Sequence, residues 1–267
     1  MSRRSNHTTL TKYFLKDGSD FRVILKAEYD QGKHKQLKSL AKKYFKVPTR
    51  FRKACESKYH LQNVALGRGS YGSVYEACLP DRDCSYAVKV IKLVKKGRTY
   101  QLARPPSKTP SEWNEERASL KLAQREFLIS YLAGEAGIGP KIMDAWICDK
   151  YQGSIPELSN HENPLLFIVM KKVVGLTLKK YLESKKPTPT LCQELAAKIH
   201  LLRIMGIQHC DLHRDNVYIL PDETVQIIDW GHARAPTIDG TGGQYLTSCT
   251  QKDKSRLHGY TKCSQLE

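Results

Sequence analysis

The stretch His209-Cys210-Asp211-Leu212-His213-Arg214-Asp215-Asn216, followed one short hairpin later by Ile228-Asp229-Trp230-Gly231, constrains this chain more than any other part. Asp211 and Asn216 lie five positions apart, so one loop can turn both toward a single centre. Residues 217–220 and 225–228 are apolar, β-rich runs on either side of the turn Pro221-Asp222-Glu223-Thr224. That pattern predicts a β-hairpin. The hairpin returns Asp229 to the side of Asn216. Two acids and an amide gathered in this way are the oxygen donors that a phosphate-bound metal takes.

A second stretch, Leu66-Gly67-Arg68-Gly69-Ser70-Tyr71-Gly72-Ser73-Val74-Tyr75-Glu76-Ala77, carries three glycines. Glycine permits a tight turn and lets backbone N–H groups approach phosphates closely. Here the glycines lead into a strand-like run, whereas the dinucleotide-binding version of such a motif opens a helix. After the turn Pro80-Asp81-Arg82-Asp83 comes the run Tyr86-Ala87-Val88-Lys89-Val90-Ile91. Lys89 stands alone within it. It is either a solvent-facing cation on an alternating strand or a cation turned toward nucleotide phosphates.

Taken in order, Gly67-x-Gly69-x-x-Gly72-x-Val74, Ala87-Val88-Lys89, His209-x-Asp211-Leu212-x-x-x-Asn216 and Asp229-x-Gly231 resemble the protein-kinase motif set. The resemblance covers roughly residues 60–235. It implies an α+β, two-lobed protein-kinase-like fold with a β-rich N-lobe and a reduced helical C-lobe. The expected division is a basic, helical N-terminal extension over 1–58 and the kinase-like domain over 59–267. The N-lobe would occupy about 59–173 and the truncated C-lobe about 174–267. The implied cofactors are ATP and Mg²⁺.

The resemblance also assigns roles. Lys89 would hold the α- and β-phosphates, oriented by a glutamate on the following helix. Glu126 is the choice, because Phe127-Leu128-Ile129 and Gly137-Ile138-Gly139-Pro140 follow it as in the family pattern. Glu115 and Glu116 are its rivals. Asn216 and Asp229 would hold the metal, and Asp211 would orient the acceptor hydroxyl and take its proton. Gly67, Arg68, Gly69, Ser70, Tyr71, Gly72, Ser73 and Val74 would cover the nucleotide. Ala87 and Met170 would border the adenine, with Lys171, Lys172 and Val173 as the hinge.

Elsewhere periodicity gives the outline. Leu37, Leu40, Ala41 and Tyr44 predict an amphipathic helix that ends near Pro48, and Phe51 and Ala54 could continue on a second one. These form either a DNA-reading helix-turn-helix or an extension packed on the next domain. Residues 92–110 are basic and Pro-rich and read as an exposed loop. A helix is expected from Pro110-Ser111 to about Gly134. Strands are expected at 142–147 and 165–170, joined by a polar loop over 149–164. Leu191, Leu195, Ile199 and Leu202 mark one face of a helix closed by Gly206. The tail from Thr241 to Glu267 is expected to form at most one short helix.

Three features depart from the family pattern. Cys210 stands where many protein kinases have Arg, and His213 where serine/threonine kinases usually have Lys. His213 and Trp230 are instead similar to aminoglycoside and choline phosphotransferases. Only 36 residues follow Gly231, and no Ala-Pro-Glu appears. The pruning resembles RIO-like and compact viral kinases.

The net charge of +17 is concentrated at the N-terminus, where residues 1–60 hold 16 Lys/Arg against 5 Asp/Glu. Such a field favours anionic partners: acidic or nucleic-acid-associated protein substrates, or nucleic acid itself. The eight cysteines form no CxxC pair and suggest neither a zinc site nor a disulfide framework. With no apolar signal or membrane-span run, an intracellular, reduced protein is expected, cytoplasmic and/or nuclear, in a host cell if viral. The sequence thus reads as an ATP-dependent kinase acting on Ser/Thr of proteins. The alternatives are a small-molecule phosphotransferase and a pseudokinase or nucleic-acid-binding regulator.

Overall fold

A computed structural model of the chain describes residues 51–54, 57–69, 72–96, 99–102, 120–160, 164–235 and 246–266. Its strands are β1 (Phe51–Ala54), β2 (His60–Gly69), β3 (Gly72–Cys78), β4 (Tyr86–Lys96), β5 (Thr99–Leu102), β6 (Ile142–Lys150), β7 (Leu165–Lys171), β8 (Leu176–Thr177), β9 (Val217–Ile219) and β10 (Val225–Ile227). The helices are α1 (Leu120–Glu135), α2 (Pro156–Ser159), α3 (Leu178–Ser184), α4 (Pro189–Ile204) and α5 (Leu246–Thr261). The larger sheet runs β1-β6-β7-β4-β3-β2, with β5 paired to β4 off that path; the smaller runs β10-β9-β8. This is the α+β plan expected, a sheet-rich first part followed by a helical second part.

The strand period of two decides what the large sheet presents on each face. Val88 and Val90 of β4 join Leu165, Phe167 and Val169 of β7 in one apolar cluster with Tyr59, Tyr75 and Trp146. Trp146 stacks on Phe167 with ring centroids 5.2 Å apart, a pairing that adds about 0.5–1.5 kcal/mol beyond area burial. Ile91 and Leu93, with Leu166 and Ile168, belong to the opposite cluster, which receives Phe127 of α1. Lys89 shares the parity of Ile91 and Leu93, so it lies on the α1 side of the sheet. Farther along α1, Ile129, Leu132 and Ala133 enter the core of the second part with Leu191, Leu195, Leu202, Leu212 and Trp230. One helix therefore contributes to the cores of both parts.

Local chemistry sets the boundaries in the second part. Thr177 caps α3 by accepting from Lys180 N–H, and Thr188 caps α4 by accepting from Leu191 N–H. Pro189 at the start of α4 has no N–H to leave unpaired. Gly206 closes that segment at φ 64°, a left-handed conformation that glycine takes without steric cost. The β9–β10 hairpin forms as expected, with Val217 opposite Ile227.

Several expectations are corrected. Phe51–Ala54 is not a helix: it is a strand pairing in parallel with β6, Phe51 opposite Ile147. The segment 92–110 is not wholly a loop, because β4 runs to Lys96 and turns back into β5. The 149–164 segment is more than a polar connection. Its Tyr151, Ile155 and Leu158 are buried against the sheet, and α2 places Glu157 where Tyr75 Oη donates to it. The tail holds a helix of 16 residues, α5. The cysteines do form disulfides: Cys78–Cys84, Cys192–Cys263 and Cys210–Cys249. The sequence separations of 6, 71 and 39 carry no recognisable framework, and the fold brings the partners together. The helix expected at 37–44 and the start of the one expected from Pro110 lie outside the described residues. Among those described, no helix is long and apolar enough to cross a membrane.

Candidate active site

The antiparallel register places Val74 of β3 opposite both Gly67 of β2 and Lys89 of β4. Ala87 lies opposite Met170. Gly67-Arg68-Gly69 and Gly72-Ser73-Val74 thus form the two arms of a hairpin, whose tip residues Ser70 and Tyr71 lie outside the described residues. The glycines differ in surroundings. A Cβ on Gly72 would come 2.1 Å from the Val90 carbonyl oxygen, whereas one on Gly67 would meet nothing within 4 Å. Gly72 is required by the sheet. Gly67 borders open space, a place where a ligand can approach the backbone.

Lys89 is buried between two carboxylates. Its Nζ forms an ion pair with Glu126 of α1 and donates to Asp229 Oδ1 at 2.7 Å. Burial works against the Lys89 charge, but Glu126 and Asp229 outweigh it, and the pKa is raised. The same charge, acting against desolvation, lowers the Asp229 pKa to about 2. Glu126 is thus the described α1 glutamate that meets Lys89, while Glu115 and Glu116 lie outside the described residues. Lys172 sits apart from this cluster: it pairs with Glu76, and its N–H donates to the Ser85 carbonyl.

The stretch from His209 to Asn216 is built from backbone hydrogen bonds. Asn216 is buried; its Nδ2 donates to the Asp211 carbonyl at 3.0 Å and its N–H to the His213 carbonyl at 2.9 Å. Ile228 N–H donates to the Asn216 carbonyl, so the hairpin carries Asp229 back to Asn216 as its sequence predicts. Asp229 and Cys210 adopt φ 60° and 63°, left-handed values uncommon for residues other than glycine. The buried His209 ring donates from Nε2 to the Ile228 carbonyl at 2.8 Å and lies against Trp230. Burial lowers its pKa and outweighs the bond to Ile228, which acts in the opposite direction.

Helix α5 contributes residues that sequence reasoning missed. Asp253 is buried and accepts from the N–H groups of Cys210 at 2.9 Å and Leu212 at 3.0 Å. Cys249 is joined to Cys210, Arg256 Nη1 lies 3.7 Å from Asp211 Oδ1, and Tyr260 lies under the Arg214 guanidinium. Positions 249, 253, 256 and 260 recur at helical spacing, so one face of α5 follows the loop from Cys210 to Arg214. That spacing was the available signal, hidden in a polar tail without a recognisable motif. The other Asp211 oxygen, Oδ2, lies 3.8 Å from His213 Nε2.

A lysine held by a helix glutamate, a neighbouring aspartate, and an Asp/Asn pair one hairpin away together match the expected motif order in space. The Protein kinase domain family matches residues 60–250 of the chain. This chain belongs to the protein kinase domain family. Over 212 residues, 78% of its length, it is 26% identical to mitogen-activated protein kinase kinase kinase 3 of Arabidopsis thaliana. Over 171 residues, 64% of its length, it is 26% identical to serine/threonine-protein kinase pakG of Dictyostelium discoideum. These matches cover 32% and 12% of the two relatives, so this kinase-domain chain spans a third or less of their lengths. ATP and a divalent metal are general requirements of protein kinase domains.

Proposed function

We propose that this protein transfers the γ-phosphoryl group of ATP to serine or threonine hydroxyls of other proteins. The reading is carried by one arrangement: Lys89, fixed by Glu126, lies beside Asp229. In phosphoryl transfer the protein supplies position and charge rather than covalent chemistry. Lys89 would engage the α- and β-phosphates, with Glu126 holding its direction. The backbone from Gly67 to Val74 would cover the phosphates, and the space beside Gly67 supports that role. Ala87 and Met170 would border the adenine. The Lys172 N–H is taken by Ser85, so the hinge would bind adenine through its other backbone groups.

The metal reading stands on the donor set. Asn216 and Asp229 offer an amide oxygen and a carboxylate. These are hard donors suited to Mg²⁺, which keeps several waters and needs few protein ligands. Bound there, the ion would neutralise charge on the phosphate oxygens. Asp211 would orient the acceptor hydroxyl and receive its proton. The basic charge of residues 1–58 suits acidic or nucleic-acid-associated substrates.

Radiolabelled ATP offered with an acidic protein, a basic protein and a panel of small alcohols and aminoglycosides tests the reading. Label is expected on Ser or Thr of a protein acceptor, and Asp211→Asn should abolish it while leaving ATP binding. A second reading, transfer to a small molecule, is favoured by His213 beside Asp211. Label confined to a small acceptor would establish that alternative and overturn the first.

A further inference from the structure

The Asp211 carboxylate has a basic side chain near each oxygen. His213 Nε2 lies 3.8 Å from Oδ2 and Arg256 Nη1 lies 3.7 Å from Oδ1. Asp215 N–H donates to His213 Nδ1 at 3.2 Å, so that nitrogen is already engaged within the loop. Arg256 is charged at any accessible pH. Lys89 is already engaged by Glu126 and Asp229. Arg256 is therefore the permanent cation that the described residues place beside Asp211. It is partly exposed, so an incoming group can reach it.

Resting on the proposed phosphoryl transfer, we infer that Arg256 is a catalytic residue, a guanidinium brought in by the C-terminal helix to bind the phosphoryl group during its transfer. In the step itself, an acceptor lone pair forms the new bond to phosphorus. The bond from phosphorus to the bridging oxygen breaks, and its electron pair leaves on ADP. The acceptor proton passes to Asp211, and Arg256 exchanges no proton. Negative charge spreads over the three remaining phosphoryl oxygens as this happens. A reacting hydroxyl held by Asp211 must lie within about 3–3.5 Å of the phosphorus. A cation flanking Asp211 is consequently within side-chain reach of those oxygens, and a guanidinium can meet two of them through parallel N–H donors.

Two other properties fit. Arg256 leaves α5 from the face that carries Asp253 and Cys249, which tie that helix to the loop at Cys210 and Leu212. The guanidinium is thus held by the same anchor that holds the base. Arg256 also stands 45 positions beyond Asp211, so its role follows from the fold and not from the loop motif.

The test uses the full chain, Arg256→Met and Arg256→Lys. Three quantities are measured for each: affinity for ADP with Mg²⁺, affinity for ADP with Mg²⁺ and fluoroaluminate (a mimic of the phosphoryl group in flight), and the melting temperature. The wild type should bind the fluoroaluminate complex more tightly than ADP alone. R256M should erase that gain and leave ADP affinity and melting unchanged, and R256K should restore part of it. With a protein acceptor, kcat should fall about 10²–10³-fold in R256M with KM for the acceptor unchanged. The inference is overturned if R256M keeps the fluoroaluminate gain or loses it only together with melting temperature. It is equally overturned if the kinetic loss lies in the acceptor KM, which would make Arg256 a substrate-docking residue. A gain that depends on Arg256, with label on no protein, would sink the protein-substrate reading and leave the Arg256 assignment standing.

Discussion

Lys89 Nζ lies 2.7 Å from Asp229 Oδ1, across 140 positions of sequence, and the same nitrogen is paired with Glu126. One cation thereby joins a strand of the sheet, helix α1 and the end of the β9–β10 hairpin. Replacing it by Met removes the charge and leaves Glu126 buried without its partner. K89M is expected to lower stability by about 3 kcal/mol, in the range for breaking a buried pair from one side. Phosphoryl transfer should be lost as well. Urea unfolding and a transfer assay read the two effects; a K89M protein with wild-type activity would remove Lys89 from the site.

The Lys89–Asp229 pair also sets a pH dependence. The Asp229 pKa is lowered from 3.8 to about 2 in the folded chain. The unfolded chain therefore binds more protons between these values, and stability rises with pH across them. The contribution is present above about pH 4 and lost as pH falls toward 2. Melting temperatures of the wild type and Asp229→Asn, followed over pH 2–5, should converge at the acid end. Parallel curves would show that the pair contributes no such slope.

Gly67 and Gly72 should respond oppositely to a single methyl group. Gly72→Ala drives a Cβ into the Val90 carbonyl, so β3 and β4 must separate locally and the melting temperature should fall. Gly67→Ala meets open space and should melt like the wild type, yet bind ATP more weakly because the methyl occupies the ligand side. Thermal melts and nucleotide titration of both variants check this. An unchanged ATP affinity in G67A would place the nucleotide elsewhere.

What the sequence showed and what it concealed divide along contact range. The hairpin after Asn216, the Ala87-Val88-Lys89 strand and the Gly67–Gly72 turn are local patterns with fixed spacing, so they could be read directly. Glu126 was reachable because its helix is followed by a recognisable Gly-Ile-Gly-Pro. Asp253 and Arg256 were not, since they meet the loop from more than 40 positions away on a helix with few apolar residues. Phe51 and Ala54 have helical spacing, but pairing with β6 decides their conformation. A disulfide needs two cysteines to be neighbours in space, and separations of 39 and 71 residues say nothing of that.

Asp253 offers a test of how α5 supports the loop around Asp211. Its two oxygens accept from two different loop N–H groups, and both bonds are lost if the carboxyl is removed. Asp253→Ala leaves these donors without that partner. The expected cost is about 1–3 kcal/mol for each unsatisfied group. Transfer should slow because Asp211 lies between the two anchored residues. ATP affinity should change little, since Lys89 and the glycine-rich hairpin belong to the other sheet. A D253A variant that loses ATP binding in proportion to activity would contradict this division.

The disulfides hold the last helix at both ends. Cys249, in the first turn of α5, is bonded to Cys210 of the loop that carries Asp211; Cys263, just beyond its end, is bonded to Cys192 of α4. Cutting the second bridge frees a closed segment of 71 residues in the unfolded chain. By the chain-entropy argument, Cys263→Ser is expected to cost about 2–4 kcal/mol. Reductant should lower the urea midpoint of the wild type, and lower that of C263S less, because one bridge is already absent. Alkylation before and after reduction counts the thiols released. If the unreduced protein alkylates fully, or reductant leaves the wild-type midpoint in place, α5 is held by its packing and by Asp253 alone.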